Sequence, residues 1–204
     1  IVNHVAAGDE VRVIILGEGV TSRNISTKED LSYIKDEAKK ASGLLGVKEL
    51  LLLGFPDNRM DSVDLLRVIK EIEKYVVQYK PHTVYTHHSS DLNIDHQIVN
   101  KSVLTACRPL PNSSVKRLFA FETLSSSEWS FGSINPPFKP QKFVNITQTF
   151  DDKKSALKCY SSEIRNFPHP RSIEAVESLA RLRGSQVGVP LAESFEVIFD
   201  IENF

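Results

Sequence analysis

A short polar segment carries most of the side chains in this chain that could do chemistry together. Residues 86–96 contain three of the six histidines of the chain, two aspartates and an asparagine: His87, His88, Asp91, Asn93, Asp95 and His96. A neutral imidazole is the commonest metal ligand in proteins and also transfers protons near neutral pH. A nearby carboxylate can fix which ring nitrogen carries the proton. The segment therefore predicts a metal site or a site for acid–base catalysis.

The position of this segment favours a ligand site. It follows an apolar, strand-like run at residues 83–85 and precedes a helical pattern over residues 97–107. Open α/β proteins bind their ligands in the crevice beyond the carboxyl ends of the strands. We therefore expect the polar side chains to lie at such an edge.

The two aspartates also have simpler explanations. Asp91-x-Asn93-x-Asp95 resembles the start of an EF-hand calcium loop, which needs glycine at its sixth position and a carboxylate at its twelfth. Those positions hold His96 and Ser102, so an EF-hand is disfavoured. Asp95 taken alone is equally well explained as the N-cap of the helix that follows.

The three histidines differ in what they could do. His96 stands beside the predicted helix start and is the candidate metal ligand of the segment. His87 or His88 could donate a proton or stabilise developing negative charge. The alternative for this pair is a strand end with one exposed and one packed imidazole. A catalytic zinc needs about three protein ligands and an open position for water, so the segment alone is short of ligands.

Three other loops carry candidate substrate-binding side chains. Arg23 follows the first predicted strand and could reach a ligand at the same sheet edge, although a solvent-exposed turn explains it equally well. Asp57 and Asn58 follow the second predicted strand, in a Pro-Asp-Asn sequence that is also ordinary turn chemistry. Trp129 lies in a serine-rich segment that could form a lid or pocket wall, or a mobile surface loop.

Strand-like and helix-like patterns alternate along the first half of the chain. Strands are predicted over residues 10–16, 47–53 and 83–85, and Ser62 is predicted to cap the second of the intervening helices. This βαβαβα order predicts an α/β fold with a parallel sheet and right-handed crossovers. The second half predicts three more strands and two helices in a less regular order. Residues 1–7 resemble the tail of a helix, so we expect the first strand of the fold to be missing.

Composition is typical of a globular protein with one domain. The chain has 204 residues, of which 41% are hydrophobic and 25% charged, and its formal net charge is -1. This charge and the scattered basic residues disfavour nucleic acid and anionic membranes as partners. No apolar run approaches the length of a membrane span. The two cysteines, Cys107 and Cys159, cannot build a disulfide framework, so a reducing compartment, the cytoplasm, is expected.

Taken together, these runs resemble the PIG-L/LmbE family of metal-dependent sugar N-deacetylases. The matching runs cover nearly the whole chain in the family's order: residues 8–11, 19–23, 53–57 with Arg59 and Asp61, 84–88, 91–96, 106–109, 154–157 with 160–162, 183–184 and 192–195. The Asp95-His96 loop is the most specific of them. The resemblance implies one three-layer αβα Rossmann-like domain over residues 1–204, with a mostly parallel sheet.

The resemblance also implies roles for individual residues. In the family a zinc ion activates water to remove the acetyl group of an N-acetylated amino sugar or its conjugate, and His96 maps onto one zinc ligand. Asp95 maps onto a carboxylate that orients a neighbouring group, and Arg23 onto a sugar contact. Some members carry an oxyanion-stabilising histidine three residues before the ligand. That position is Asn93 here, so the role passes to His87 or His88, or is absent.

One part of the family pattern is missing from this sequence. The family's His-Pro-Asp-Asp motif after the first strand supplies two further metal ligands and the general base, and the chain contains no such motif. We expect the other ligands of zinc, or of another divalent metal, upstream of Ile1. The 204-residue chain alone is then expected to be nearly inactive, because one imidazole cannot hold a catalytic zinc.

The sequence leaves two other functional hypotheses open. The chain could be a non-catalytic protein that binds sugars or metabolites, or a different metal-dependent amide hydrolase that uses the same crevice. For the deacetylase, the expected catalytic residues are Asp95 with His87 and His88, and the metal ligand is His96. The expected substrate contacts are Arg23, Asp57, Asn58, Asn93 and Trp129. The partner is expected to be a small N-acetyl sugar or glycoconjugate, and assembly into a homo-oligomer stays open.

Overall fold

The structure of the chain is a computed structural model that describes residues 1–19, 28–132 and 136–202, with only the backbone described for residues 28–30. The chain divides into two compact units. The first unit consists of residues 1–58 and 144–193, and the second of residues 59–143 and 194–204. The organisation of residues 1–204 as a single domain stays a prediction.

Strands and helices alternate through most of the described residues. The strands are β1 Arg12–Gly17, β2 Glu49–Phe55, β3 Thr83–His87, β4 Arg117–Phe121, β5 Lys142–Asn145 and β6 Ala192–Asp200. The helices are α1 Val2–Ala6, α2 Lys28–Leu44, α3 Leu65–Tyr79, α4 Ile94–Ala106, α5 Phe150–Lys158 and α6 Ile173–Ser185. Two short 3-10 helices cover Met60–Ser62 and Glu128–Ser130. Each strand and helix that the sequence pattern predicts is present.

Parallel pairing predominates among the strands. β1 pairs in parallel with β2, and β3 pairs in parallel with β4. β4 also pairs with β6, in the antiparallel direction. β1 and β2 form a two-stranded sheet, and the other strands form a four-stranded sheet in the order β3–β4–β6–β5. The predicted α/β class with mostly parallel pairing is confirmed.

Helix α3 illustrates how the second unit builds its core. The Asp64 side chain caps the helix by accepting a hydrogen bond from Leu66 N at 2.8 Å. The apolar residues buried along one face are Val68, Ile69 and Ile72. The prediction that Ser62 caps this helix is wrong, because Ser62 belongs to the preceding 3-10 helix and its hydroxyl donates to Arg59 O.

Strands β3 and β4 place the polar segment. Their register pairs Thr83 with Arg117 and His87 with Phe121, and the middle of β4 is almost completely buried at Leu118 and Phe119. β3 ends at His87 and α4 begins at Ile94. The segment between them therefore lies beyond the carboxyl end of a parallel strand, as predicted.

In the first unit, a buried carboxylate ties helix α2 to the segment that follows α5. Glu37 is buried and accepts hydrogen bonds from Ser161 Oγ at 3.0 Å and from Ser162 N and Oγ at 3.3 and 3.1 Å. A buried carboxylate costs free energy unless such donors satisfy it. The three donors make Glu37 a structural anchor of this unit.

Helix α6 lies so close to the backbone of the residues that follow it that only glycine fits at one position. A Cβ atom added to Gly184 would lie 2.4 Å from Val189 O and 2.9 Å from Pro190 O. Both are backbone atoms, which cannot rotate away as a flexible side chain could. The turn after α6 therefore depends on this glycine.

No helix in the described parts of the chain is long and apolar enough to cross a membrane. Helix α2 has 17 residues and a polar composition, whereas a span needs about 20 mostly apolar residues.

Candidate functional site

Helix α4 begins with a side-chain cap that sets the position of its first turn. Asn93 Oδ1 accepts hydrogen bonds from Asp95 N at 2.8 Å and from His96 N at 3.4 Å. The alternative that Asp95 is the N-cap is therefore wrong. Asp95 lies instead in the first turn, where the helix dipole favours a negative charge. The cap holds the backbone of His96 at the start of the helix.

Asp95 joins this helix start to the 3-10 helix before α3. Its side chain is buried, and Oδ1 accepts a hydrogen bond from Met60 N at 3.0 Å. This contact satisfies a buried backbone donor, which is a structural task. The role of Asp95 in orienting a histidine stays a prediction, and the carboxylate next to His96 in the structure is that of Asp91.

Asp91 is a fully buried carboxylate surrounded by donors. Its side chain is 0% exposed. Oδ1 accepts from Asn93 N at 2.9 Å and from Ser126 Oγ, and Oδ2 accepts from Ser127 Oγ at 2.8 Å. Burial acts to raise the pKa of Asp91, but the neighbouring His96 and the hydrogen bonds from Ser126 and Asn93 outweigh it, so the pKa lies below its ordinary value. Asp91 is therefore a charged group inside the protein.

His96 lies directly against this carboxylate. Its Nδ1 is 3.1 Å from Asp91 Oδ1, and its side chain is 22% exposed. The distance is that of a hydrogen bond, whereas the direction of the ring N–H falls outside hydrogen-bond geometry. The contact is consequently electrostatic in the main, and His96 is the partly exposed member of the pair.

The ring of His87 covers one face of His96. The two ring centroids are 4.0 Å apart with 15° between the planes, and Phe121 packs against His87 at 4.9 Å. Burial, together with the nearby His96, lowers the pKa of His87 to about 3. His87 is therefore neutral at physiological pH, and its buried Nδ1 has no hydrogen-bond partner among the described residues.

His88 has a different environment, although it is the next residue. It is 3% exposed, and its Nδ1 accepts a hydrogen bond from Ser90 N at 3.2 Å. Its Nε2 lies 3.2 Å from Glu196 Oε2, and Phe138 meets the ring edge-on at 5.3 Å. Because Nδ1 accepts a hydrogen bond from the backbone, Nε2 carries the ring proton and faces the carboxylate. The described contacts thus bring His87, and not His88, against His96.

The remaining predicted site residues fall in three places. Arg23 lies outside the described residues. Asp57 and Asn58 belong to the first unit, in the turn after β2, where Asn58 has a φ of 50°. Trp129 lies in the second unit, in the 3-10 helix Glu128–Ser130, and is 39% exposed. Their contacts with a substrate stay predictions.

A serine loop anchored on Asp91 is the part of the site that the sequence did not reveal. Ser126 and Ser127 donate to Asp91, and Ser126 O accepts from Leu92 N at 3.3 Å. Glu128 fixes the same loop by accepting from Ser125 N at 2.6 Å. The only signal in the sequence is a run of three hydroxyl residues in a loop. That run gives no indication of a carboxylate 35 residues earlier.

A metal site is not complete within the described residues. No group of three or more His, Cys, Asp or Glu side chains in residues 1–19, 28–132 and 136–202 could hold a metal ion. His96 offers one imidazole, and its neighbour Asp91 is already occupied by three donors. This donor set does not fit a catalytic zinc, which needs about three protein ligands.

The candidate site lies within a region that matches a known protein family. The profile of the PIG-L family, described as GlcNAc-PI de-N-acetylase, matches residues 1–107. This region contains His87, Asp91 and His96, together with the strand and helix that position them.

One relative is a bacterial protein that is named as a probable deacetylase. The probable N-acetyl-alpha-D-glucosaminyl L-malate deacetylase 2 of Bacillus cereus is 25% identical to this chain over 150 residues. The match covers 72% of this chain and 66% of that protein. The matched region thus spans slightly less than two thirds of that relative's length.

Solved structures share the fold but differ in reaction. The N,N'-diacetylchitobiose deacetylase from Pyrococcus horikoshii has a TM-score of 0.74 at 19% identity, over 97% of this chain and 76% of that one. The 4-carboxy-2-hydroxymuconate hydratase from Pseudomonas putida has a TM-score of 0.78 at 20% identity, over 100% of this chain and 90% of that one. These likenesses confirm the predicted Rossmann-like fold. A shared fold does not determine which reaction a protein catalyses, because that depends on the residues of the site.

Proposed function

This chain belongs to the PIG-L family of GlcNAc-PI de-N-acetylases, and from that premise we propose that it removes the acetyl group of an N-acetylated amino sugar. The observation that carries the proposal is the contact between His96 and Asp91 at the carboxyl end of β3. It places a partly exposed imidazole, backed by a buried carboxylate, where α/β proteins bind ligands. The predicted reaction is hydrolysis of a carbon–nitrogen bond in an acetamido group.

The substrate class is proposed from the relatives. The Bacillus cereus protein is named for an N-acetylglucosaminyl malate, and the Pyrococcus horikoshii protein for diacetylchitobiose. Both are small conjugates of N-acetylglucosamine. We propose a substrate of this class for the present chain, with Arg23, Asp57, Asn58, Asn93 and Trp129 as its binding residues.

We propose roles for two imidazoles on the basis of the described contacts. In amide hydrolysis a water oxygen adds to the carbonyl carbon, and the amine leaves after it gains a proton. His96 is proposed to face the reacting group with the ring nitrogen that lies away from Asp91. Because His87 is neutral, it could stabilise the oxyanion as a hydrogen-bond donor, whereas proton donation would first require an imidazolium. Asp95 and His88 stay proposed catalytic residues.

Zinc, or another divalent metal, is part of the proposal. When bound, such a metal lowers the pKa of water and polarises a carbonyl oxygen. The described residues supply one imidazole, His96, toward its ligands. We accordingly propose that the 204-residue chain alone binds zinc below stoichiometry and turns over little substrate. Metal analysis after dialysis decides this point, and stoichiometric zinc with full turnover would contradict it.

We propose a reducing, cytoplasmic location because the chain has only two cysteines and both are free. Cys107 and Cys159 are both free thiols. Burial raises the pKa of Cys107 to about 11, so this thiol is unreactive at neutral pH.

The activity test uses the protein as it occurs in its organism and compares wild type with two histidine variants. Release of acetate from N-acetylglucosamine conjugates is expected from wild type. His96→Ala should lower kcat/KM by at least about 100-fold, the scale of a lost acid–base or ligand group. His82→Ala removes an exposed histidine that precedes β3 and should retain activity. Unchanged turnover in His96→Ala, with His82→Ala also active, would exclude the proposed site.

A second candidate function is binding without turnover. It is favoured by the incomplete ligand set of the described residues. In that case calorimetry would detect N-acetylglucosamine conjugates binding to wild type and to His96→Ala with similar affinity. No acetate would appear with either protein, even after addition of zinc.

A further inference from the structure

Asp91 has an arrangement that burial alone does not explain. A buried carboxylate must be satisfied by donors, and Asn93 N, Ser126 Oγ and Ser127 Oγ already supply three. The fourth neighbour, His96 Nδ1, shares Oδ1 with two of these donors. A purely structural anchor such as Glu37 is satisfied by serine and backbone donors without an imidazole. The need to satisfy a buried carboxylate therefore does not explain why Asp91 contacts His96.

The chemistry of the two groups determines where the proton of His96 resides. A carboxylate has only acceptor lone pairs, whereas a neutral imidazole has one N–H and one lone pair. A lone pair on Nδ1 at 3.1 Å from Asp91 Oδ1 would be repelled, and an N–H there would be attracted. The carboxylate consequently favours the ring form that carries its proton on Nδ1. That form leaves the lone pair on Nε2.

The ring of His96 is also held in orientation. His87 stacks on one face, with the planes 15° apart. The Asn93 cap fixes the backbone of His96 in the first turn of α4. A fixed ring with a fixed proton presents Nε2 in one direction only. Such preorganisation is what a reacting group requires of its partner.

We propose that Asp91 is a positioning residue that holds His96 as the Nδ1–H tautomer, with the Nε2 lone pair available to the reacting group. This inference deepens the proposed function, and its catalytic consequence rests on that function. The same carboxylate anchors the serine loop through Ser126 and Ser127. Asp91 thereby fixes the imidazole and the loop that carries Trp129 relative to each other.

The test measures the tautomer directly, without substrate. In long-range ¹H–¹⁵N NMR spectra, the two nitrogens of each histidine show which one carries the proton. For wild type we expect His96 to be protonated on Nδ1. His88 is expected to show the opposite form, because its Nδ1 accepts from Ser90 N. His88 thus serves as an internal reference for an intact fold.

Asp91→Asn is the informative variant. Its side chain keeps the shape of aspartate but has one acceptor oxygen, for which Asn93 N and the two serines compete. Two of these donors, Asn93 N and Ser126 Oγ, hold the amide oxygen on the side of His96. The negative charge beside His96 Nδ1 is then lost, so His96 should change from the Nδ1–H form to a mixture of the two forms. Ser127→Ala is the matched control, because Ser127 contacts Oδ2 and not the oxygen near His96. It should leave the tautomer unchanged.

The outcomes separate this inference from the proposed function. A wild-type His96 with its proton on Nε2 would overturn the inference, as would an unchanged tautomer in Asp91→Asn with His88 signals intact. If Asp91→Asn does not fold, the spectra of wild type and Ser127→Ala decide by themselves. If the deacetylase proposal is correct, Asp91→Asn should lower kcat about 10- to 100-fold with little change in KM. No turnover in wild type, together with the expected tautomers, would contradict only the proposed function.

Discussion

His87 and His96 stack in parallel at the end of strand β3, with ring centroids 4.0 Å apart. Two charged imidazoles could not share this arrangement without repulsion, and burial keeps the first of them neutral, with a pKa of about 3. The two histidines therefore have different roles: His87 packs against the ring of His96, and His96 is partly exposed to solvent. This division gives the first of four predictions.

We expect His87 to make stability depend on pH. Its folded pKa of about 3 lies below the ordinary value of 6.5. Between these values the unfolded state binds more protons than the folded state. The free energy of unfolding therefore increases as pH rises and decreases as pH falls. His87→Phe keeps an aromatic ring against His96 and Phe121 but cannot titrate. Urea unfolding at about pH 7 and about pH 5 should show a smaller difference for this variant than for wild type.

A direct titration supplies the check on that prediction. The ring protons of His87 in wild type should keep constant NMR chemical shifts from about pH 8 to about pH 5. A midpoint near the ordinary histidine value would show that His87 is exposed to water and charged. The stacked arrangement would then be wrong.

Asp95 should matter for stability through Met60 and separately for catalysis. Asp95→Ala leaves the buried Met60 N without its acceptor and should lower the free energy of unfolding by about 1–3 kcal/mol. Asp95→Asn keeps Oδ1 for that hydrogen bond and should be nearly as stable as wild type. Deacetylase activity in a stable Asp95→Asn protein would then report the predicted catalytic role. Equal stability of the two variants would show that the Met60 contact contributes nothing.

Asn93 should act as a helix cap whatever its contact with substrate. Asn93→Ala removes the acceptor of Asp95 N and His96 N and should cost about 1 kcal/mol of stability. Asn93→Ser restores a capping oxygen and should recover most of the loss. If Asn93 also binds substrate through its amide, Asn93→Ser should raise KM while it remains stable. Urea unfolding and steady-state kinetics on the same samples separate the two effects.

Two glycines should respond in opposite ways to alanine. Gly184→Ala would place Cβ against Val189 O and Pro190 O and should destabilise by about 1–3 kcal/mol, the scale of overpacking. Gly43→Ala in helix α2 meets nothing within 4 Å, so it should be neutral or stabilise by up to about 1 kcal/mol through better helix propensity. Thermal unfolding of both variants measures the difference. A tolerated alanine at residue 184 would mean that the following turn can move away.

Local signals were sufficient to predict the strands, the helices and the place of the polar segment. Alternating strand and helix periodicity indicated β3 and α4, with residues 88–93 between them. In α/β proteins, such a segment at the carboxyl end of a strand is where ligands bind. Capping residues were harder, because Asn93 and Asp95 are both favoured N-caps two residues apart. Sequence preference cannot choose between them, whereas the hydrogen bonds from Asp95 N and His96 N to Asn93 Oδ1 identify Asn93 as the cap.

The partners of the site residues depend on long-range contacts, which no local pattern encodes. Asp91 and Ser126 are 35 residues apart, and only the fold brings them together. His88 lies 108 residues before its partner Glu196. For this reason the sequence proposed His87 and His88 as equals. The structure distinguishes them by what each ring contacts.

The pairing of His87 with Phe121 between β3 and β4 has a consequence for insertions and deletions. Side chains alternate between the two faces of a strand, so one added or lost residue in β3 exchanges the faces of every later residue. An added residue would put Thr86 in the place where His87 stacks on His96. A lost residue would put His88 there and remove it from Glu196. Related chains should therefore vary in length after α4, where residues 108–116 precede β4, and keep the length of β3 constant.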